Sequence, residues 1–93
     1  QISIEARIDH AALVDEGSWV GAGTKIGPDV RIINSILAEH IQVEDGVVIK
    51  NSVVLRGVHI SRGSVISDTL VEEAAVIAPF SRVIGAFVGA GYQ

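Results

Sequence analysis

The chain has 93 residues, enough for one domain, and 48% of them are hydrophobic although only Trp19, Phe80, Phe87 and Tyr92 are aromatic. Its apolar share is mostly 14 Val and 13 Ile, against four Leu and no Met. Such β-branched side chains are stiff at χ1 and favour pleated surfaces, which excludes a helical bundle. A net charge of -4 argues against nucleic acid or an anionic membrane surface as the main partner, and the lack of Cys excludes disulfides and thiolate chemistry.

No apolar run is long enough to span a membrane as a helix, and no basic segment leads into an apolar one as in a signal peptide. The expectation is a cytoplasmic, nearly all-β chain. It starts at Gln1 and enters its pattern at once, so residues 1–93 read as a single domain and as a C-terminal fragment of a longer protein.

In chain order, aliphatic residues fall at Ile2, Ile8, Val14, Val20, Ile26 and Ile32, each six apart. A step of five leads to Leu37, followed by Val43 and Ile49; another leads to Val54, then Ile60 and Ile66. Val71, Ile77 and Val83 continue the series, and Val88 ends it. Four residues after almost every one of these comes a second small or aliphatic position, as in Ala12, Thr24, Val30, Ile36, Val47, Val53 and Leu70. Gly precedes this second position at Gly17, Gly23, Gly46, Gly57, Gly63 and Gly91.

Side chains of a strand alternate between faces, so both positions are expected to point inward, with a tight corner between them. Three short strands close a triangle, and triangles stack at about 4.8 Å. The first coil takes 18 residues, from Val14 to Ile32, and the later ones 17. The shortened corner reads Asn34-Ser35, Asn51-Ser52, Asp68-Thr69 and Gly85-Ala86, which places Asn34, Asn51 and Asp68 in one column. Short polar side chains there can bond nearby backbone.

Units such as Ile8-Asp9-His10-Ala11-Ala12-Leu13, Val20-Gly21-Ala22-Gly23-Thr24-Lys25 and Ile26-Gly27-Pro28-Asp29-Val30-Arg31 resemble the hexapeptide repeat of left-handed parallel β-helices. The resemblance covers the whole chain and implies an all-β, single-stranded left-handed helix of triangular coils. Ile32-Ile33-Asn34-Ser35-Ile36-Leu37 and Ile49-Lys50-Asn51-Ser52-Val53-Val54-Leu55 are also similar to the C-terminal β-helix of sugar-1-phosphate nucleotidyltransferases. These comprise the glucose-1-phosphate adenylyl- and thymidylyltransferases and the mannose-1-phosphate guanylyltransferases. In them the catalytic residues lie in an N-terminal domain with a Gly-rich motif that this chain lacks. The resemblance therefore implies an oligomerisation domain and carries over no catalytic residue.

Three histidines are the first candidates for chemistry. His10, His40 and His59 fall in different columns of the coil, so the sequence gives them no common metal to share. No catalytic residue, cofactor or metal ligand is expected. Two other readings remain open: a hexapeptide-class acyltransferase working as a trimer, with His40 or His59 as base, and a non-enzymatic scaffold subunit.

The outward positions suggest a partner. One wall carries Leu13, Ile33, Val48, Val65 and Ile84 among Asp15, Arg31, Lys50, Ser67 and Arg82; a second carries Trp19, Ala38, Leu55, Glu72 and Gly89. The third, with Arg7, Asp9, Lys25, Gln42, Glu44, His59 and Ser61, reads as a solvated face. A stripe of Ile33, Val48, Val65 and Ile84 is the expected interface, against another copy or a preceding catalytic domain. Phe87 and Tyr92 are expected to point inward and plug the end of the coil.

Overall fold

In the computed structural model, which describes residues 1–93, Ile26, Val43, Ile60 and Ile77 stack above one another at 0–3% exposure. Five further inward columns surround this one, and 17 buried hydrophobic side chains form a single core running the length of the molecule. A repeat of Val and Ile suits this interior, because each β-branched group meets its own kind one coil away.

The coil has three flat walls, each a five-stranded parallel sheet. Numbered in chain order, one wall holds β1 (Arg7–Ile8), β4 (Lys25–Ile26), β7 (Gln42–Val43), β10 (His59–Ile60) and β13 (Val76–Ile77). The next holds β2 (Leu13–Val14), β5 (Arg31–Ile33), β8 (Val48–Lys50), β11 (Val65–Ser67) and β14 (Arg82–Ile84). The third holds β3 (Trp19–Val20), β6 (Ile36–Leu37), β9 (Val53–Val54), β12 (Leu70–Val71) and β15 (Phe87–Val88). Each strand pairs with the third before it, the third after it or both, and the chain is a left-handed parallel β-helix of five coils. The structure contains no helix of a kind that could cross a membrane.

Leu13 pairs with Arg31, 18 residues on, whereas Arg31 pairs with Val48 and Val48 with Val65, each 17 on. The coil lengths follow the spacing of the aliphatic residues. Every residue with positive φ lies at a corner, in three columns. One is Gly23, His40, Gly57, Ala74 and Gly91; another is Asp29, Gly46, Gly63 and Phe80; the third is Asn34, Asn51, Asp68 and Gly85.

The shortened corner overturns one expectation. Ser35, Ser52 and Thr69, directly before β6, β9 and β12, are buried at 1–4% exposure, while Ile36 is 51% exposed and Val53 and Leu70 are half-buried on the outer face. The residue missing from each of these corners lies before the serine or threonine. With a side-chain period of two and Leu37, Val54 and Val71 inward, the residue directly before each must face outward and the serine or threonine two before it inward. Phe87 flips for the same reason and is 63% exposed rather than inward. Tyr92 does occupy the column of Ala75, but no further coil lies over it, and it stays 58% exposed. Neither aromatic plugs the end.

The buried hydroxyls form a ladder through the core. Ser35 N–H donates to Ser18 Oγ at 3.1 Å, Ser52 N–H to Ser35 Oγ at 3.1 Å, and Thr69 N–H to Ser52 Oγ at 3.2 Å. Ser35, Ser52 and Thr69 hydroxyls in turn donate to the carbonyls of Ile33, Lys50 and Ser67. No buried side-chain polar atom lacks a partner, as a dry interior requires.

Candidate functional site

The polar wall brings together the one pair of groups with recognisable acid–base geometry. His59 opens β10 beside Gln42 of β7, and Glu44 follows β7 on the same outer face. The pair is therefore a diagonal across adjacent strands, within reach of long side chains. His59 Nε2 lies 2.7 Å from Glu44 Oε2, with about a third of each side chain exposed. Glu44 Oε1 accepts the Arg62 backbone N–H at 3.0 Å. The hydrogen bond from His59, followed by that from Arg62, holds the Glu44 carboxyl below the ordinary glutamate value. With Nε2 donating to Glu44, the neutral imidazole keeps its lone pair on Nδ1, where a proton could be accepted.

A shallow groove runs from Glu44 along the wall and is lined by Gln42, Lys25, Arg7, Asp9 and Asp45. Gly27 forms part of its floor, and a Cβ there would come within 2.7 Å of Asp45 Oδ1. The groove offers two cations and an amide to a polar ligand.

The other two histidines sit apart from this pair. His10 is fully solvated at a corner, 3.6 Å from Asp9. His40 adopts φ 56° at its corner and lays its ring over Gly23 of the preceding coil. No three histidine, aspartate or glutamate side chains are grouped so that they could hold a metal ion.

At the third corner column, Asn34 Nδ2 donates to Asn51 Oδ1 at 2.8 Å, and Asn34 N–H donates to both Asp15 carboxylate oxygens at 3.1 Å. Asp15 also accepts from Ser18 Oγ at 2.6 Å. Those bonds, the Ser18 one foremost, depress the Asp15 carboxyl below its ordinary value. The expected column exists, and its side chains serve the corner itself.

The four residues of the expected stripe do not stand in one column. Val48 and Val65 are adjacent, but their row continues to Arg31 on one side and Arg82 on the other. Ile33 and Ile84 belong to the neighbouring row, separated by Lys50 and Ser67. The wall is a mixture of apolar and charged groups.

Sequence reasoning missed two features. The first is the His59–Glu44 pair. Its signal is a separation of 15, one coil less two residues, which puts both side chains on one face of neighbouring strands. The second is the outward row of Trp19, Ile36, Val53, Leu70 and Phe87, hidden by the register shift at the short corner.

Residues 14–88 match the family described as GlmU-like, C-terminal hexapeptide. The chain belongs to that family. Among solved structures, a hexapeptide transferase family protein from Anaplasma phagocytophilum aligns with 85% of this chain and 69% of its own. The identity is 7% and the TM-score 0.38, too loose to carry any residue across. No curated protein matches the chain. As a member of the GlmU-like, C-terminal hexapeptide family, the chain has the repeat and the coil that its sequence implied.

Proposed function

We propose that this chain is the assembly domain of a sugar-1-phosphate nucleotidyltransferase whose catalytic domain lies outside residues 1–93. The observation that carries the reading is the short corner. Asn34-Ser35, Asn51-Ser52 and Asp68-Thr69 build 17-residue coils around a buried hydroxyl ladder, and that corner is the feature the nucleotidyltransferase β-helices resemble. Membership of a family described by a C-terminal hexapeptide segment supports the same placement. A rigid prism with flat walls suits the task of holding copies of a catalytic domain at fixed spacing.

The test uses the full polypeptide that carries this segment. Given a hexose 1-phosphate and a nucleoside triphosphate, it should release pyrophosphate, and deleting the coil should lower its solution mass. A protein that releases no pyrophosphate with any hexose 1-phosphate would remove the nucleotidyltransferase parent.

A second reading is favoured by one observation, the 2.7 Å contact between His59 and Glu44. In a hexapeptide-class acyltransferase, His59 Nδ1 would take the proton of an acceptor hydroxyl or amine while Glu44 fixes the ring. Thioester cleavage from an acyl-coenzyme A, lost in His59→Ala and reduced in Glu44→Gln, would establish it in place of the first.

A further inference from the structure

The β2–β5–β8–β11–β14 wall differs from the other two in charge. Three of the chain's seven cationic residues, Arg31, Lys50 and Arg82, stand exposed on it against one carboxylate, Asp15. Asp15 is occupied at the corner, where it accepts from Ser18 Oγ and the Asn34 N–H. The polar wall balances Arg7 and Lys25 with Asp9 and Glu44, and the remaining wall carries Glu72 alone. Most of the 11 carboxylates lie at the corners, as Glu16, Asp29, Glu39, Asp45 and Glu73 do. A chain of net charge -4 thus has one positive face. The ion pairs of the molecule are His10–Asp9 and His59–Glu44, so none of the three cations is held by a carboxylate of its own chain.

These cations frame an apolar centre. One outward row reads Leu13, Arg31, Val48, Val65 and Arg82, and the row beside it Ile33, Lys50, Ser67 and Ile84. Leu13 is 56% exposed and Ile84 55%. At about 4.8 Å per coil, Arg31 and Arg82 stand roughly 14 Å apart with Val48 and Val65 between them, and Lys50 lies one coil along from Arg31 in the next row. The strands are two or three residues long, so the wall is a strip about 10 Å wide, the diameter of an α-helix. A helix lying along the strip rises about 1.5 Å per residue. Acidic side chains at positions i, i+3 and i+11 of such a helix come within reach of Arg31, Lys50 and Arg82, and apolar ones at i+4 and i+7 fall on Val48 and Val65.

We infer that this wall docks an acidic amphipathic helix of a separate protein, its carboxylates meeting Arg31, Lys50 and Arg82 and its apolar face lying on Val48 and Val65. The inference stands apart from the assembly reading and leaves the other walls to that task. A second copy is a poor occupant, because laying the wall on itself sets its excess positive charge against the same charge. A phosphate backbone would meet the cations but give Leu13, Val48, Val65 and Ile84 no apolar partner. The acidic corners on either side of the strip repel it, and an anionic membrane surface with it. One face of a molecule of 28 × 20 × 19 Å offers no more than about 500 Å² per partner, and permanent interfaces are larger and more apolar. The contact is therefore transient, and the three cations act mainly by steering the helix into place.

The experiment is fluorescence anisotropy of a labelled synthetic helical peptide titrated with the 93-residue chain. The peptide carries glutamate at its first, fourth and twelfth positions, leucine at its fifth and eighth, and uncharged helix-forming residues elsewhere. It should bind with a Kd on the order of 100 µM at low salt, and more weakly as salt is raised. Arg31→Glu with Arg82→Glu should weaken binding about tenfold or more without changing the circular dichroism spectrum or melting temperature. A second peptide with lysine in place of each glutamate should then bind that variant and not the parent, a reversal that misfolding cannot produce. Binding that survives Arg31→Glu with Arg82→Glu but is lost on Arg7→Glu with Lys25→Glu would put the helix on the polar wall and overturn the inference. It is equally overturned if the parent chain ignores the first peptide at every concentration, or prefers vesicles of phosphatidylserine and phosphatidylcholine to it.

Discussion

Ser52 donates its backbone N–H to Ser35 Oγ at 3.1 Å, and the two residues hold the same place in successive coils. The Ser35 and Ser52 hydroxyls each accept from the coil after them and donate to the carbonyl two residues earlier, at the end of the preceding strand. The 17-residue coil thus satisfies its buried corner with one short side chain per turn.

Ser52→Ala should expose how much this matters. The Thr69 N–H and the Lys50 carbonyl both lose a partner there, and a buried donor left unsatisfied costs about 1–3 kcal/mol. The urea midpoint should fall with an unchanged slope. Ser52→Thr should cost less than Ser52→Ala, because Thr69 already fills the same column, donating to the Ser67 carbonyl and accepting the Ala86 N–H. Equal losses in the two variants would show that the hydroxyl contributes nothing.

Val47 tests the apolar part of the interior. It is 0% exposed, stacked after Val30 and before Ser64. Val47→Asp would place a carboxylate where no partner can reach it, at a desolvation cost of several kcal/mol. Since domains are stable by only about 5–15 kcal/mol, the variant should lose its β-type circular dichroism spectrum. A spectrum and melting curve matching the parent would contradict an inward Val47.

The aliphatic columns were readable from spacing because both strand faces and coils repeat at fixed intervals. Val20, Ile26 and Ile32 lie inside, at 0–3% exposure, as their positions require. What spacing does not specify is where a five-residue step loses its residue. The loss falls at the corner before Ser35, Ser52 and Thr69, so polar side chains are buried there while Ile36 and Phe87 face outward. A hydropathy pattern favours the opposite arrangement, because it assigns the larger apolar residue to the core. Ser35 is nonetheless the better occupant, since its hydroxyl meets backbone groups that Ile36 could not. The His59–Glu44 pair was illegible for a related reason. It depends on which residues share an outer face across two strands, and that follows only once the register is known.

The depressed Glu44 carboxyl makes stability depend on acid in a stated direction. Its folded value lies below the ordinary 4.5, held there first by His59 and then by the Arg62 N–H. A carboxylate depressed by folding stabilises the native state above its unfolded value, and that stabilisation is lost as pH falls through the folded one. The melting temperature should therefore decline below about pH 4.5, and Glu44→Gln should decline less steeply over the same window. Asp15, depressed below 3.8 by Ser18 and Asn34, should extend the loss to lower pH in both proteins. Melting curves of the two proteins that remain parallel from pH 6 to pH 3 would show that Glu44 contributes no such linkage.

Ala74 and Gly57 occupy the same corner one coil apart, with φ of 59° and 74°. An L-residue with a Cβ pays about 1–2 kcal/mol in this left-handed region, whereas glycine enters it without that penalty. Ala74 accepts the strain because Arg56 and Gly57 of the coil before it fix the corner's shape, the Ala74 N–H donating to the Arg56 carbonyl at 3.0 Å. Nothing crowds the site, for a Cβ built on Gly57 meets its nearest neighbour, Ala74, at 3.9 Å. Backbone conformation alone should then decide both substitutions. Ala74→Gly should raise stability by up to about 1 kcal/mol once the extra freedom glycine brings to the unfolded chain is set against the relieved strain. Gly57→Ala should lower it by a similar amount. Chemical denaturation of the two variants checks the pair, and a loss of stability in Ala74→Gly would mean that the corner does not strain its alanine.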